Sequence, residues 1–219
     1  MLNYSTSEEN YIKAIYHLQH ADGTVTTNEL AAELRTRPAS ITDMMKKLRD
    51  KKLVHYQAYR GFKLSNDGRK LALLIVRRHR LWEYFLAEKL KFNWDEVHSV
   101  AEDLEHVGSK KLIDKLDEFL GFPRFDPHGD PIPDSNGKIE TSKQICLRDL
   151  PLNKTGLVCH VSDQSKEMLE VLGHKNIGLG TKLEVKRKFE FDNSMEIKAG
   201  RQPSFTISDQ VAENIFVKI

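Results

Sequence analysis

Residues 121–137 limit most strongly how this chain can fold, because their sequence, GFPRFDPHGDPIPDSNG, excludes a helix. Four of the seven prolines and three of the twelve glycines of the 219-residue chain lie in this stretch. Before it, residues 5–91 alternate helix and strand patterns, and residues 95–120 show more helix. After it, residues 146–219 change to short β-type runs. The sequence therefore predicts a helical part and a separate β part that is long enough for a small barrel. The predicted β runs are Leu183–Lys186, Phe189–Phe191, Phe205–Ile207 and Ile215–Ile219.

Composition excludes several classes of protein. No apolar run reaches 18 residues, which argues against an ordinary transmembrane helix, and the first ten residues are too polar for a signal peptide. Cys146 and Cys159 are too few for a disulfide scaffold, and we expect both to be ordinary buried or semi-buried residues and not ligands. We expect a cytoplasmic protein without a membrane partner.

The N-terminal segment has the helix start and stop signals that are typical of a helix-turn-helix. Apolar residues recur at helical spacing over 11–18, and Thr26-x-x-Glu29 is a capping box that opens a short helix at Asn28–Leu34. After a brief turn, Pro38 occupies the first turn of another helix, where its missing N–H costs nothing. The predicted buried face of that helix consists of Ile41, Met44, Met45 and Leu48.

A β-hairpin follows this helix. Its arms are Leu53–Tyr56 and Phe62–Leu64, its turn is Ala58–Gly61, and Ser65 can cap the next helix. Helix, short helix, turn, polar-faced helix and hairpin together predict a winged helix-turn-helix.

The outer face of the helix that begins at Pro38 fits a DNA-reading surface. Residues 35–63 hold nine basic and two acidic side chains, and the major groove, about 12 Å wide, admits one helix. Short polar side chains could reach base edges, while the cations, including Lys63, could neutralise phosphates. A helical hairpin with a solvated face is the plainer alternative. The candidate DNA-binding residues are Arg37, Pro38, Ala39, Ser40, Thr42, Asp43, Lys46, Lys47 and Arg60.

A second pattern joins imidazoles and carboxylates at helical spacing. His79 and Glu83 lie four residues apart on a predicted helix, and His98 and Glu102 repeat that spacing on the next. Glu105 and His106 extend the second set. Six such donors can hold one or two divalent cations, and their chemistry suits Mn, Fe, Co, Ni or Zn. His128 and His174 lie among turn residues, and we expect both to face solvent.

Six motifs together resemble the diphtheria-toxin-repressor family of metal-dependent transcriptional regulators, and the match covers nearly the whole chain. The resemblance implies a winged helix-turn-helix domain at 1–73, a helical metal-binding and dimerisation domain at 74–145, and an SH3-like domain, similar to ferrous-transport-A, at 146–219. The implied fold is mainly α with β additions. The motifs are EENYIKAIYHL (8–18), RPASITDMMKKLRDKKLV (37–54), YRGFKLSNDGRKLA (59–72), RRHRLWEYFL (77–86), VHSVAEDLEH (97–106) and PHGDPIP (127–133).

The resemblance also implies roles for individual residues. His79, Glu83 and His98 match the family's ancillary metal site, to which the barrel contributes ligands; Gln164 and Glu167 are the candidates here. The positions of the primary, activating site are Asn10, Glu102, Glu105 and His106.

Two departures from the family pattern bear on the metal. Glu102 stands where iron-type members have Cys and manganese-type members have Glu, so we expect Mn(II), with Fe(II) as the alternative and other divalent metals as substitutes in vitro. Manganese-type members without the barrel carry acidic residues where this chain has Asn10 and Lys13. Lys13 cannot bridge two cations, and His98 favours two separate sites.

The sequence thus predicts a homodimeric repressor of metal-uptake genes that binds double-stranded operator DNA, with one or two dimers per operator. The metal is a corepressor and the protein is no enzyme. Two alternatives remain open at this point. A metallohydrolase would need an open coordination position and an activating base beside it. A winged-helix regulator could instead sense an organic ligand.

Overall fold

The computed structural model describes residues 4–57, 60–107, 109–140 and 143–219. No helix in this described part is both long and apolar enough to cross a membrane. Its helices are α1 (Thr6–Leu18), α2 (Thr27–Glu33), α3 (Pro38–Asp50), α4 (Asn66–Glu88), α5 (Val97–Leu104), α6 (Lys110–Phe119), α7 (Lys166–His174) and α8 (Asp209–Glu213). Its strands are β1 (Thr24–Val25), β2 (Val54–Gln57), β3 (Gly61–Leu64), β4 (Ile145–Cys146), β5 (Thr155–Val161), β6 (Lys182–Lys188), β7 (Met195–Ala199), β8 (Phe205–Ile207) and β9 (Ile215–Lys218).

The chain divides into two compact units. The first unit contains Met1–His79, Glu102–Leu116 and Pro133–Ile139. The second unit contains Arg80–Ala101, Asp117–Ile132 and Glu140–Ile219.

The predicted winged helix-turn-helix is confirmed in the first unit. Thr26 caps α2 by accepting from the Glu29 backbone N–H, and the Glu29 carboxylate in turn accepts from the Thr26 N–H. Helix α3 begins at Pro38, and Ser65 Oγ accepts from Gly68 N at 3.0 Å in the first turn of α4. The wing strands form an antiparallel sheet in the order β1-β3-β2. The predicted wing turn includes residues 58 and 59, which lie outside the described residues.

The core of this unit holds α3 with its polar side outward. Ile41, Met45 and Leu48 are buried, whereas Met44, predicted on the same face, is only half-buried. Ile12 of α1 and Leu30 of α2 belong to the same apolar cluster. Burial of each such side chain stabilises the fold by roughly 1.5–3 kcal/mol, so the orientation of α3 is set from its inner face.

The helical segment predicted over 95–120 is two helices, α5 and α6. Helix α5 ends at Leu104, and Ser109 Oγ accepts from Leu112 N at 3.3 Å at the start of α6. Glu105 and His106 therefore lie in the turn directly after α5 and not on the helix itself.

The C-terminal segment is a six-stranded antiparallel sheet in the order β4-β9-β5-β6-β7-β8, with α7 packed into its core through Met168, Leu169 and Leu172. The predicted strand Phe189–Phe191 is wrong. These residues form the turn after β6, which is closed by a bond from Phe189 N to Ser194 O, and Phe191 is fully exposed. Strands β4, β5 and β7 were not predicted.

Candidate metal centre and DNA-binding face

Glu105 is the centre of a charged cluster in the first unit. Its side chain has no exposed surface, and Lys13 Nζ lies 2.7 Å from Oε1 and 2.9 Å from Oε2. His79 Nδ1 lies 2.7 Å from Oε2. Burial alone would raise the pKa of Glu105, but the His79 hydrogen bond and the Lys13 charge outweigh it and hold that pKa below its usual range. Glu105 is therefore a carboxylate.

His106 is oriented by Glu9, a residue that sequence reasoning missed. Glu9 Oε2 lies 2.8 Å from His106 Nδ1, and Glu9 Oε1 accepts from Arg78 Nη2 at 2.8 Å. The other ring nitrogen of His106, Nε2, lies 3.6 Å from Glu105 Oε1. A carboxylate on one imidazole nitrogen fixes the ring and raises the basicity of the other, as is typical of metal-binding histidines.

The four residues predicted for the primary site line one cleft of about 490 Å³. Asn10 and Lys13 come from α1, Glu102 comes from α5, and Glu105 and His106 come from the turn after α5. Two carboxylates, one imidazole and one amide are a donor set that suits Mn(II) or Fe(II).

Glu105 Oε1 strengthens this fit. The atom is buried, Lys13 Nζ is its ion-pair partner at 2.7 Å, and His106 Nε2 lies 3.6 Å away, so a carboxylate oxygen and an imidazole nitrogen of the predicted set lie close together. The residues present therefore fit a divalent cation.

A second group of donors lies in the second unit. Glu83 is almost completely buried, and its Oε1 lies 3.1 Å from His98 Nδ1. His128 Nε2 lies 3.9 Å from the same oxygen. His79 precedes Glu83 by one turn of α4, and its Nδ1 contacts Glu105.

The prediction that His128 faces solvent is wrong. Its side chain is completely buried and stacks on Trp94, with the ring centroids 5.5 Å apart. The Pro-rich loop is fixed at this point because Val161 N donates to the His128 carbonyl, and Gly129 approaches Cys159 closely. His174, at the end of α7, is exposed as predicted.

Asp126 and Asp130 form a polar network beside His128. Asp126 accepts from the backbone N–H groups of His128 and Asp130, and its pKa is raised by burial and by the nearby charges of Glu83 and Asp130. Arg80 Nη2 donates to Asp130 Oδ1 at 3.0 Å. None of these contacts had a signal in the sequence beyond the PHGDPIP motif.

Gln164 and Glu167 are the two residues of the C-terminal segment that were predicted as metal ligands. Gln164 donates its amide to Asp130 Oδ2 at 2.6 Å. Glu167 is exposed in the first turn of α7. Their role as metal ligands stays a prediction.

The predicted DNA-binding residues are exposed on α3, on its N-cap and on the wing. Three of the cations have acidic partners: Lys46 lies 3.3 Å from Asp43, Lys47 lies 3.2 Å from Glu8, and Arg60 lies 3.6 Å from Asp22. The Lys46–Asp43 and Arg60–Asp22 pairs are exposed and contribute only about 0–1 kcal/mol each, so these two cations can exchange partners. Thr42 Oγ1 donates to the Pro38 carbonyl at 3.1 Å.

Glu8 connects α1 to α3. It is buried, and its Oε1 lies 2.6 Å from Lys51 Nζ as well as 3.2 Å from Lys47 Nζ. Burial would raise the pKa of Glu8, but the bonds from Lys51, Ser5 and Lys47 lower it to about 2. Two adjacent residues of α1 thus make different contacts: Glu8 contacts Lys47 of α3, and Glu9 contacts His106.

A winged helix-turn-helix with a cleft of carboxylate and imidazole donors defines a metal-responsive DNA-binding protein. Three family models match the chain: "Iron dependent repressor, N-terminal DNA binding domain" at residues 3–62, "Iron dependent repressor, metal binding and dimerisation domain" at 65–134, and "FeoA domain" at 145–219.

Individual relatives agree with these models. The chain is 34% identical to the HTH-type transcriptional regulator MntR of Oceanobacillus iheyensis over 116 residues, which cover 53% of this chain and 78% of that protein. It is 30% identical to the iron-dependent repressor IdeR of Mycobacterium leprae over 125 residues, which cover 57% of this chain and 54% of IdeR.

Solved structures extend the likeness over nearly the full length. A manganese-dependent transcriptional repressor in complex with manganese has a TM-score of 0.85 and 33% identity, with 96% of this chain and 98% of that chain covered. The manganese regulator SloR has a TM-score of 0.77 and 27% identity, with 96% and 97% covered. The chain belongs to the diphtheria-toxin-repressor family of metal-dependent transcriptional repressors.

Proposed function

We propose that this chain is a homodimeric repressor that binds operator DNA when Mn(II), or alternatively Fe(II), occupies its sites, and that it controls genes of metal uptake. The metal is a corepressor and not a catalyst. The observation that carries this proposal is the convergence of Asn10, Glu102, Glu105 and His106 on one cleft. These residues come from two segments more than 90 positions apart in the sequence.

The primary site would be formed by these four residues. A bound divalent cation would supply a positive charge shared by the carboxylate oxygens of Glu102 and Glu105. Glu9 holds His106 through Nδ1 and leaves Nε2 toward Glu105. Lys13 balances Glu105 in the structure described here and is the group with which a divalent cation must compete.

Helix α1 provides the path from this site to DNA. Asn10 lines the cleft, while Glu8 of the same helix holds Lys47 of α3 and Lys51 at the C-cap of α3. A ligand shared by α1 and the turn after α5 favours the conformation in which these segments meet, by the difference in its affinity for the two states. Metal would thereby stabilise one placement of the reading helix.

We assign the second site to His79, Glu83 and His98, with Gln164 and Glu167 as further candidate ligands. The contact of His98 with Glu83 and the one-turn spacing of His79 and Glu83 support this assignment. His128 is added because it approaches the same Glu83 oxygen. Other divalent transition metals would substitute for Mn(II) in vitro, since these donors accept several of them.

We assign three domains: residues 1–73 bind DNA, residues 74–145 bind metal and form the dimer, and residues 146–219 form the SH3-like domain. A dimer can set two α3 helices about 34 Å, or a multiple of that distance, apart on a pseudo-palindrome. One or two dimers would occupy each operator.

The test compares His106→Ala with His79→Ala in titrations of operator binding with Mn(II), using DNA selected from the host genome by metal-dependent capture. We expect His106→Ala to abolish metal-dependent binding even at saturating Mn(II). His79→Ala should retain it but need at least about tenfold more metal, because the variant loses a second-site ligand and the hydrogen bond to Glu105. His174→Ala, an exposed histidine on α7, is the control. Equal loss in both variants, with one metal still bound per chain, would contradict the proposed division of roles.

A further inference from the structure

A second cavity of the first unit lies outside the metal cleft. It has a volume of about 340 Å³ and is lined by residues of α4, α6 and the segment 133–139. Leu74 and Ile113 give it an apolar wall, and Ser135 and Asn136 contribute polar groups. Nothing in the proposed metal or DNA chemistry uses this cavity.

The charge of the cavity is strongly positive. Lys70, Arg77, Arg78 and Lys110 line it, whereas Asp114 is the one acidic residue among the described lining residues. Four cations around a single small volume repel one another, and the repulsion is greatest where water is excluded. Such an arrangement favours an anionic occupant.

Arg77 is held in place by contacts within the protein. Arg77 is buried, and its Nη1 donates to the Pro133 carbonyl at 3.1 Å while its Nη2 lies 3.9 Å from Asp114. These contacts fix the guanidinium at the wall of the cavity.

The Nε donor of Arg78 is a second, independent observation that favours an anion in this cavity. Its Nη2 donates to Glu9, but its Nε is buried and has no acceptor among the described residues. A buried donor without an acceptor costs about 1–3 kcal/mol, so a site that keeps one gains by binding an acceptor atom.

We propose that this cavity binds a phosphoryl dianion, either inorganic phosphate or the phosphoryl group of a small phosphomonoester. The planar guanidinium forks match phosphate oxygens, and the two lysines add charge without demanding a fixed geometry. The apolar wall formed by Leu74 and Ile113 leaves room for an organic part. The anion would complete the hydrogen bonding of Arg78 Nε.

Arg78 also connects this anion site to the metal cleft, because its partner Glu9 contacts His106. This consequence rests on the proposed function. An anion that engages Arg78 weakens its hold on Glu9 and adds negative charge near the cleft, so phosphate should tighten Mn(II) binding severalfold. By linkage, Mn(II) should tighten phosphate binding by the same factor.

The test is calorimetric titration of the full-length, metal-free protein with inorganic phosphate and, separately, with glycerol phosphate at constant ionic strength. Lys110→Gln and Lys70→Gln each remove a lining charge from an exposed position, so neither should disturb folding. We expect each to weaken binding at least fivefold. Lys111→Gln, the neighbouring exposed lysine of α6 that does not line the cavity, is the matched control and should bind like wild type. Tighter binding of glycerol phosphate would identify a phosphomonoester as the ligand; equal or weaker binding would identify free phosphate.

Four results would overturn the site. The first is phosphate that binds no more tightly than chloride at equal ionic strength, and the second is Lys110→Gln that binds phosphate as well as wild type. Equal weakening in Lys110→Gln and Lys111→Gln would show general charge attraction. If the lysine variants instead lowered only the salt dependence of operator binding, the cations would serve DNA phosphates. Unchanged Mn(II) affinity in the presence of bound phosphate would overturn the coupling, whereas the metal-dependent repressor function does not depend on either result.

Discussion

Lys13 Nζ lies 2.7 Å from Oε1 of Glu105, a carboxylate with no exposed surface. The cleft that we assign to a divalent cation thus contains a cation of the chain itself. Lys13 also lies 3.5 Å from Glu102, so one ammonium group contacts two of the four proposed ligands. Metal affinity therefore reflects the exchange of one positive charge for another.

Replacement of this lysine tests that exchange. Lys13→Met should tighten Mn(II) binding by about tenfold, because a unit charge 4 Å away interacts with about 4 kcal/mol at an effective dielectric constant near 20, and the long side chain can withdraw part of the way. The metal-free protein should lose up to about 3 kcal/mol of unfolding free energy, since Glu105 stays buried with one partner fewer. Calorimetry and urea unfolding measure the two effects, with Lys111→Met as control. Weaker Mn(II) binding in Lys13→Met would mean that Lys13 supports the site.

Glu9 should influence metal binding without being a ligand. Glu9→Gln removes the charge that orients His106, and the expected loss of Mn(II) affinity is about 10–100-fold. Glu8→Gln is the matched control, because the adjacent carboxylate contacts Lys47 and Lys51 and not His106. We expect it to change operator binding while Mn(II) affinity is kept. Similar Mn(II) affinities for the two variants would show that His106 does not need Glu9.

Glu102 should set the preference among metals. Its carboxylate oxygen is a harder ligand than a thiolate, so Glu102→Cys should shift activation of operator binding from Mn(II) toward Fe(II) or Co(II). The measurement is the rank order of activating metals under anaerobic conditions, with Asp103→Cys as the neighbouring control. An unchanged rank order would remove Glu102 from the determinants of selectivity.

The DNA face can be divided into phosphate contacts and base contacts. Arg37→Ala and Lys47→Ala should weaken binding to all sequences alike and lower the salt slope by about one unit each. Thr42→Ala should change base preference instead. Since Lys47 contacts Glu8, its variant reports on both DNA and the α1–α3 connection, and Arg37 is the cleaner case. An unchanged salt slope for both basic variants would locate the DNA face elsewhere.

The sequence predicted those parts of the fold and site that depend on local signals. The capping box of Thr26 and Glu29, the start of α3 at Pro38 and the cap at Ser65 are all confirmed, because each uses contacts within four residues. The position of Phe191 in a turn escaped prediction, since its apolar run resembles a strand while an Asp192–Ser194 turn bond decides the structure.

Contacts between distant segments were beyond sequence reasoning. Glu9 and His106 are 97 residues apart, and no periodicity connects them. His128 appeared solvent-facing because Pro and Gly surround it, yet its burial depends on Trp94 and on a strand more than 25 residues further on. The primary-site residues could be named together through family resemblance, whereas only the structure identifies Glu9 as the carboxylate that orients His106 and Lys13 as the partner of Glu105.

Gly129 should be needed to keep His128 buried. Its φ is +90°, and a Cβ at this position would lie 2.0 Å from the Cys159 carbonyl oxygen and 2.7 Å from His160 Cα. Because these atoms belong to the backbone at β5, they cannot move aside cheaply. Gly129→Ala should therefore displace the loop and cost roughly 3 kcal/mol of unfolding free energy, near the upper end for overpacking.

The matched control for this variant is Gly121→Ala. Gly121 has a similar φ of +76°, but a Cβ there meets nothing within 4 Å, so its substitution carries only the conformational cost of about 1–2 kcal/mol. Since His128 stacks on Trp94, Gly129→Ala should also change the near-ultraviolet circular dichroism and tryptophan fluorescence, and Gly121→Ala should not. If both variants lose the same stability and keep the Trp94 signal, the close approach of Gly129 to Cys159 does not hold His128 in place. If the Trp94 signal changes only in Gly129→Ala, while binding of the second Mn(II) also weakens, then His128 belongs with Glu83 and His98 in the second site.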